Sequence, residues 1–554
     1  MTANELRFAL TASMAAEFEQ RAAIGLALPA GRHRSLWFDT PAGDLLNAGT
    51  SLAVSQGAGG WSLTIEVTGD GPGEHRRSEH PVAGPRPERE ALPPVDEPLG
   101  RLAHAYFPLL VPVFEAELER QVRLVGPQPG LRIEMACERG ELRAGQRGER
   151  IAEVVLRRLE GPAAAFYHYA AQWAAMHGAQ LLLASMHLRG LELAGWRPPA
   201  PRPVRMTPVS PPAGATIAQA ARDVIGGHLD HAVANFLPVL GGTHRGGPRQ
   251  LRVALRRLCA AIRFFDLVEP EATEPEATEP EVTGPEAAGP GSTGPAPEGG
   301  GATRPRWRGL VADARALRAA AAPLREADVL AQGVLADLNR ALGDDAALQV
   351  LAQALARARE HERARLRATL ASPEATAFIL RARAALGTLS SGRPDARDFG
   401  SFAAGRLARL VARARRRTRR ARTEDDWHRA RLALKELRDG LQSCRSLPAT
   451  RGSAADAIAM LSRWQRSLGK VQDLVRAKET VARALAHGDA PVETAVRAAA
   501  LVDGYRAAAF ATHRPARLRK PILGGLARLL APAPPAPESA GYHRSDRPRE
   551  EEAE

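Results

Sequence analysis

Two short segments carry cationic residues at helical spacing. RQLRVALRRLC (249–259) sets Arg249, Arg252 and Arg256 three and four residues apart, and HRARLALKELR (428–438) repeats the offsets with His428, Arg431 and Lys435. Arg438 extends the second set, where the first has Cys259; Arg257 lies beside the first stripe. At 100° per residue these offsets fall within an arc of roughly 80°, so each helix shows one narrow cationic stripe. Leu251, Leu255, Leu258, Ile262 and Phe265 form a separate apolar stripe, as do Leu434, Leu437 and Leu441. One face packs and another presents charge. A guanidinium fork makes bidentate, charge-assisted bonds to phosphate oxygens, so the chemistry on offer is polyanion binding. The run RARRRTRR (413–420) reads equally as a further contact or as a solvated helix face.

The elements around these stripes are also repeated. LREADVL (324–330), with Arg325 and Glu326, resembles GKVQDLV (469–475), with Asp473. Arg252 lies 74 residues before Glu326, and Arg431 lies 42 before Asp473. Removing the 35 residues of 269–303, an EPEAT-type repeat, makes the intervals nearly equal. That segment reads as an insertion into a helix–helix loop, which costs a fold little. Helical periodicity covers 215–238, 249–267, 307–340, 345–371, 397–421, 425–446, 454–486 and 490–511. The N-terminal half instead predicts strands at 3–10, 34–39, 51–56, 61–67, 76–82, 114–124, 130–136 and 151–157, with helices over 13–23 and 163–177.

The 554 residues imply several domains, and 44% hydrophobic content supplies their cores. Residues 1–196 read as one domain, 197–213 as a Pro-rich linker, and 214–532 as an all-α domain; 269–305 and the tail 533–554 read as disordered. Of 76 basic residues 72 are Arg, a bias that genomic base composition also produces. The charge is unevenly placed: residues 1–200 carry net −3 and 201–554 net +17. Setting aside the net −8 of 269–303 and the net −3 of the tail leaves +28 on the rest of 201–532, nearly all of it on the helical domain. Such asymmetry predicts a surface that attracts polyanions. Three widely spaced cysteines exclude a disulfide scaffold and a cysteine zinc cluster. No apolar run reaches 18 residues, and the N-terminus lacks a signal-peptide pattern, so a cytoplasmic protein without a membrane span is expected.

The duplicated stripes, with LREADV and LGKVQDL (468–474), resemble the CHAD (conserved histidine α-helical) domain over about 215–530. That resemblance implies two four-helix bundles related by pseudo-two-fold symmetry and a basic surface that binds inorganic polyphosphate. Arg249, Cys259 and Glu326 depart from its usual His, Arg and Asp; His428 keeps the name-giving residue.

The N-terminal half resembles a CYTH domain, a triphosphate tunnel metalloenzyme, through Phe38-Asp39-Thr40-Pro41, Trp61-Ser62-Leu63-Thr64, Arg77-Ser78-Glu79, Phe114 with Arg120, Gly140 and Glu153. The family fold implies a closed antiparallel barrel whose carboxylates hold magnesium or manganese. Here Ala3 replaces one opening carboxylate, Leu52 to Ser55 lack the paired arginines, Glu66 reverses a lysine, and Val155 and Arg157 break a glutamate alternation. Glu5, Arg7, Glu79 and Glu153 remain of the catalytic set, with Arg7, Arg77 and Arg120 for an anion. The expectation is a multi-domain α+β protein with a catalytically impaired tunnel. No cofactor is expected beyond a weakly held magnesium or manganese ion. Polyphosphate is the expected partner, bound through Arg249, Arg252, Arg256, Arg257, Arg325, His428, Arg431, Lys435 and Arg438, in the cytoplasm or on polyphosphate granules. The alternatives are a metal-dependent triphosphatase or short-chain polyphosphate hydrolase, and a non-specific nucleic-acid-binding scaffold. Aromatic residues are only 5% of the chain and absent from the stripes, which disfavours base stacking.

Overall fold

The computed structural model describes residues 5–19, 25–57, 59–68, 75–196, 202–212, 214–242, 244, 246–268, 303–389, 398–447, 454–486, 491–512 and 514–529. The strands are β1 (Glu5–Ala9), β2 (Leu26–Ala27), β3 (Gly31–Asp39), β4 (Thr50–Gly57), β5 (Gly60–Thr68), β6 (His75–Val82), β7 (Val111–Gln128), β8 (Leu131–Ala144) and β9 (Arg147–Glu160). Helices α1 (Ala12–Glu19), α2 (Asp44–Asn47), α3 (Pro98–Tyr106), α4 (Ala163–His177) and α5 (Met186–Leu193) accompany them. The helical region holds α6 (Ile217–Ala234), α7 (Phe236–Leu240), α8 (Gly246–Phe264), α9 (Thr303–Ala320), α10 (Ala322–Gln332), α11 (Val334–Leu342) and α12 (Ala346–Leu370). It continues with α13 (Pro373–Thr388), α14 (Phe399–Arg420), α15 (Glu424–Ser443), α16 (Ala454–Ala486), α17 (Val492–Thr512) and α18 (Arg519–Arg528).

All strand pairings are antiparallel, in the order β1-β9-β8-β7-β3-β4-β5-β6, with β2 on β7. The expected barrel is not closed: among the described residues, β1 and β6 end the order without pairing to each other. Period-2 alternation divides the faces. Leu6, Phe8, Ile133, Met135 and Leu156 join Phe166 and Trp173 of α4 in one core. Their neighbours Glu5, Arg7, Glu134, Glu138 and Arg157 point to the opposite face. There α5 covers part of β7, β8 and β9 through Met186 and Leu191, against Phe114, Leu118, Leu142 and Ile151. A Cβ on Gly190 would stand 2.2 Å from the Phe114 ring, so only glycine admits this approach.

The helical repeat is visible in the packing. Helix α6 packs on α8 as α14 does on α15, α9 on α8 as α16 on α15, and α12 on α10 as α17 on α16. The one long helix α16 corresponds to α9 plus α10, which break at Ala321 ahead of Pro323. Two apolar cores result. Helices α12 and α16 pass through both and tie the repeats together: Leu366 and Leu461 sit in one core, Leu351 and Leu474 in the other.

The boundary between the halves is tighter than the composition suggests. Helix α4 packs on α13, and Leu380 and Ala384 enter the core of the sheet. A Cβ on Gly387 would meet that of Ala164 at 2.3 Å. The Leu181 amide donates to Thr376 Oγ1 at 2.8 Å. Of the expected linker, residues 202–212 are docked. Asn235 Nδ2 donates to the Val204 carbonyl at 3.1 Å, His231 Nε2 lies 3.0 Å from the same oxygen, and the Ser446 amide donates to Ser210 Oγ at 2.9 Å. Proline lacks an N–H, so such a strap attaches through its carbonyls and the few remaining donors. Residues 269–302 of the acidic insertion and the tail 533–554 lie outside the described residues, whereas 303–305 open α9.

Candidate functional site

Two sets of charged residues were legible in the sequence, and they meet different fates. On the sheet, strand register sets Glu5 opposite Arg157, Arg120 opposite Glu138, and Glu134 opposite Arg157. Three arginines and three glutamates form a closed ring of alternating sign. Arg7 reaches Glu5 at 2.9 Å, Glu5 reaches Arg157 at 3.0 Å, and Arg157 reaches Glu134 at 3.8 Å. Glu134 then reaches Arg120 at 2.7 Å, Arg120 reaches Glu138 at 3.0 Å, and Glu138 closes on Arg7 at 3.0 Å. Arg7 also lies 3.4 Å from Glu153, which Arg189 of α5 bonds from its other side. Burial by itself would raise the Glu5 carboxyl, but Arg7 and Arg157 outweigh it and hold the group below the usual carboxylate range.

This ring does not fit a divalent cation. A hard-metal site needs several carboxylate oxygens free to converge, whereas the buried Glu138 and Glu153 each accept from two guanidinium groups. Glu79 stands on β6, at the far end of the strand order from β1 and β9, and accepts from Ser62 at 3.1 Å. The sequence-derived set Glu5, Glu79 and Glu153 does not form a group placed to hold a metal ion. Among the described residues no group of three His, Cys, Asp or Glu side chains is placed to hold a metal ion. Arg7 and Arg120 are consumed by the ring, and the side chain of Arg77 lies outside the described residues.

The helical stripes do converge. Helix α8 packs against α15 and α10 against α16, so stripes distant in sequence face a common groove. Arg252, Arg256, Arg325, Arg431 and Lys435 lie close enough for their charges to act on shared neighbours. Burial together with like charge lowers each of Arg252, Arg325 and Arg431; Arg252 falls to about 10. Lys435 is pushed furthest, to about 7, by burial and then by Arg431 and Arg256. Lys435 makes no hydrogen bond or ion pair among the described residues. The buried Nε atoms of Arg431 and Arg438 have no hydrogen-bond partner there either.

The carboxylates of this region are fewer than its cations and are shared among arginines. Asp439, 5% exposed, meets Arg256, Arg438 at 3.2 Å and Arg257 at 3.6 Å. Burial alone would raise Asp439, but Arg256 and Arg438 prevail and hold it at about 2. Glu326 binds Arg476 and Arg483, both at 2.6 Å, and Asp328 binds Arg359 at 2.8 Å. Asp473 remains among Arg431, Arg325 and Arg476, raised by burial against their pull.

Beyond Arg256 the groove widens into a cleft of about 1060 Å³ between α8, α15, α16 and α18. Among the described residues, Arg256, Lys435, Arg438, Arg463, Arg466 and Arg528 line it, against the single carboxylate of Asp456 and with no aromatic side chain.

The sequence-derived residues thus divide. Arg252, Arg256, Arg325, Arg431, Lys435 and Arg438 share the groove. Arg249 is exposed at its end and acts on Arg325. His428 sits beside it, with Nδ1 2.7 Å from Gln472 Oε1. Arg257 turns toward Asp439 and Met206. Cys259, where the repeat has Arg438, is buried against the Val311 carbonyl. Sequence reading missed Arg463, Arg466, Arg476 and Arg528 in the groove, Glu134 and Glu138 in the ring, and Arg189 beside it. The available signal was Arg463, Arg466 and Arg476 continuing the helical run around Asp473.

Residues 299–482 match the CHAD domain. The matched residues begin in the acidic insertion and end within α16, so α6 to α8 lie outside them. Among solved structures, the CHAD domain from the plant Ricinus communis is similar at 23% identity; the match covers 60% of this chain and 98% of that one, with a TM-score of 0.47. A putative adenylyl cyclase from Hippeastrum, described as having a dominant triphosphatase activity, is similar at 16% identity over 35% of this chain and 96% of its own, with a TM-score of 0.26. A putative adenylate cyclase from Bacillus halodurans is similar at 12% identity over 33% and 95%, with a TM-score of 0.25. Among the described residues no helix is long and apolar enough to cross a membrane.

Proposed function

We propose that this protein binds inorganic polyphosphate in the groove and cleft between the two helical repeats. The observation that carries this reading is the convergence of Arg256, Lys435 and Arg438 on the cleft, with Arg252 and Arg431 beside them along the groove, where cations outnumber carboxylates. Like charges held together out of water repel, and a polyanion relieves that repulsion. Polyphosphate carries about one negative charge per internal unit and no base. The cleft offers cations and no stacking platform, which favours a base-free chain over RNA. The sheet domain serves in this reading as a structural partner without triphosphatase chemistry, because its carboxylates are neutralised by arginine. The setting for such a protein is the cytoplasm, including polyphosphate granules.

Binding of labelled long-chain polyphosphate at several salt concentrations tests the reading. Affinity is expected to fall steeply with salt, as for other polyanions. Replacing Arg252, Arg256, Arg431 and Lys435 together by Ala should abolish it; unchanged binding in that variant would refute the assignment. Phosphate release from tripolyphosphate with magnesium or manganese addresses the sheet, and turnover above background there restores the enzymatic alternative.

A further inference from the structure

The cleft has an open end, and the cationic surface does not stop there. Arg528 lines the cleft from α18. Lys520 and Gly524 precede it by eight and four residues, so the three share one exposed face of that helix over about 12 Å. Apart from the helix's own backbone, no atom of the described residues lies within 4 Å of where a Gly524 Cβ would stand, which leaves the strip between the two cations open. At its other end α18 meets α14. Arg519 bonds the Ala421 carbonyl at the end of α14 and sits 5.6 Å over the Trp427 ring, fixing the exposed Arg517 and Lys520 beside the last turn of α14.

Helix α14 carries eight arginines and no carboxylate. Arg409, Arg413, Arg416 and Arg420 are exposed and recur at intervals of four, three and four residues, which confines them to an arc of about 60° along about 16 Å. The opposite face, with Ala403, Leu407, Val411 and Ala414, is buried in the core. A merely solvated helix face of this length would mix both signs at four-residue spacing. Glu436 of α15, 3.1 Å from Arg413, and Asp266, 2.7 Å from Arg406, approach α14 from other segments.

Building on the polyphosphate reading, we propose that α18 and the outer face of α14 form a second binding segment. It takes a condensed-phosphate chain out of the cleft, over Arg528 and Lys520, and onto Arg420, Arg416 and Arg409. The segment adds nothing for a ligand short enough to end inside the cleft. It therefore sets the preference of the protein for long chains over tripolyphosphate. Each phosphate neutralised along it releases condensed counterions, so it also steepens the salt dependence.

The test compares tripolyphosphate with long-chain polyphosphate on the full chain. In R409Q/R416Q/R420Q/K520Q, affinity for the long chain should fall at least tenfold, and the salt slope should shrink by about 3, at roughly 0.7 per lost contact. Tripolyphosphate affinity should stay within twofold, and an unchanged melting temperature shows that the fold is intact. Long-chain affinity unchanged in this variant, or equal losses for both ligands, would overturn the proposal. Displacement of the long chain by single-stranded RNA at matched phosphate concentration would overturn its assignment to a base-free polymer. Absence of binding of either phosphate to the unmodified protein would instead strike at the underlying polyphosphate reading.

Discussion

If polyphosphate binds as proposed, Lys435 should couple that binding to protons. Around it stand Arg431, Arg438 and Asp439 of its own helix, Arg256 of α8, Asp473, Arg463 and Arg466 of α16, and Arg528 of α18. The nearest carboxylate, Asp439, is held by three arginines, so Lys435 is repelled more than it is attracted. Its ammonium group titrates at about 7 in the free protein. A bound polyanion stabilises the charged form and returns the group toward the ordinary value of about 10.4. Binding then takes up a proton above pH 7, and affinity falls as pH rises. Between pH 6.5 and 8.5 the linkage amounts to about a 25-fold loss, or about 1.9 kcal/mol. Fluorescence anisotropy with labelled polyphosphate at constant ionic strength reads this directly. In Lys435→Arg the guanidinium stays charged across the range, so the profile should be flat while binding persists. Affinity constant within twofold in the unmodified protein, or the same decline in the arginine variant, would refute the reasoning.

Three further outcomes follow from the geometry. Arg7→Ala opens the ring and removes one of the two guanidinium partners of the buried Glu138 and of the buried Glu153; urea denaturation should show a loss of at least about 2 kcal/mol. Asp439→Asn leaves Arg256, Arg257 and Arg438 without their shared carboxylate; it should lower the melting temperature of the free protein, and long-chain polyphosphate should recover part of that loss. Gly190→Ala forces a methyl group against Phe114 and should cost about 1–3 kcal/mol in chemical denaturation, without changing polyphosphate affinity.

Periodicity was a sound guide wherever an element has one buried and one solvated face. Helix α4 was expected over 163–177 and spans Ala163–His177; α12 was expected over 345–371 and spans Ala346–Leu370. Helix α13 left no such trace. It is buried against α4 on one side and against α6 and α9 on another, so Ala375, Phe378, Ile379, Leu380 and Ala385 surround its axis instead of marking one stripe. Helices α5 and α18 are short, with eight and ten residues, too few to establish a period. The expected single run over 307–340 became three helices, because Pro323 and Gly333 interrupt the hydrogen-bond ladder.

The sequence by itself determined the charge, its confinement to helices, and its recurrence at equal spacing in two repeats, because helical geometry converts offsets of three and four into one face. The tertiary structure alone decided what the surviving charges do. Arg7 and Arg120 carry charges of the same kind as Arg252 and Arg431. Strand register places the first pair against Glu5, Glu134 and Glu138, and their charge is spent within the sheet. Packing of α8 on α15 and of α10 on α16 places the second pair within reach of Glu326 and Asp473 but among Arg256, Arg318, Arg325 and Arg476 as well, with cations in excess. An ion pair or a binding site is a matter of which sign stands within about 4 Å, and residues 100 apart in the chain acquire that distance only on folding.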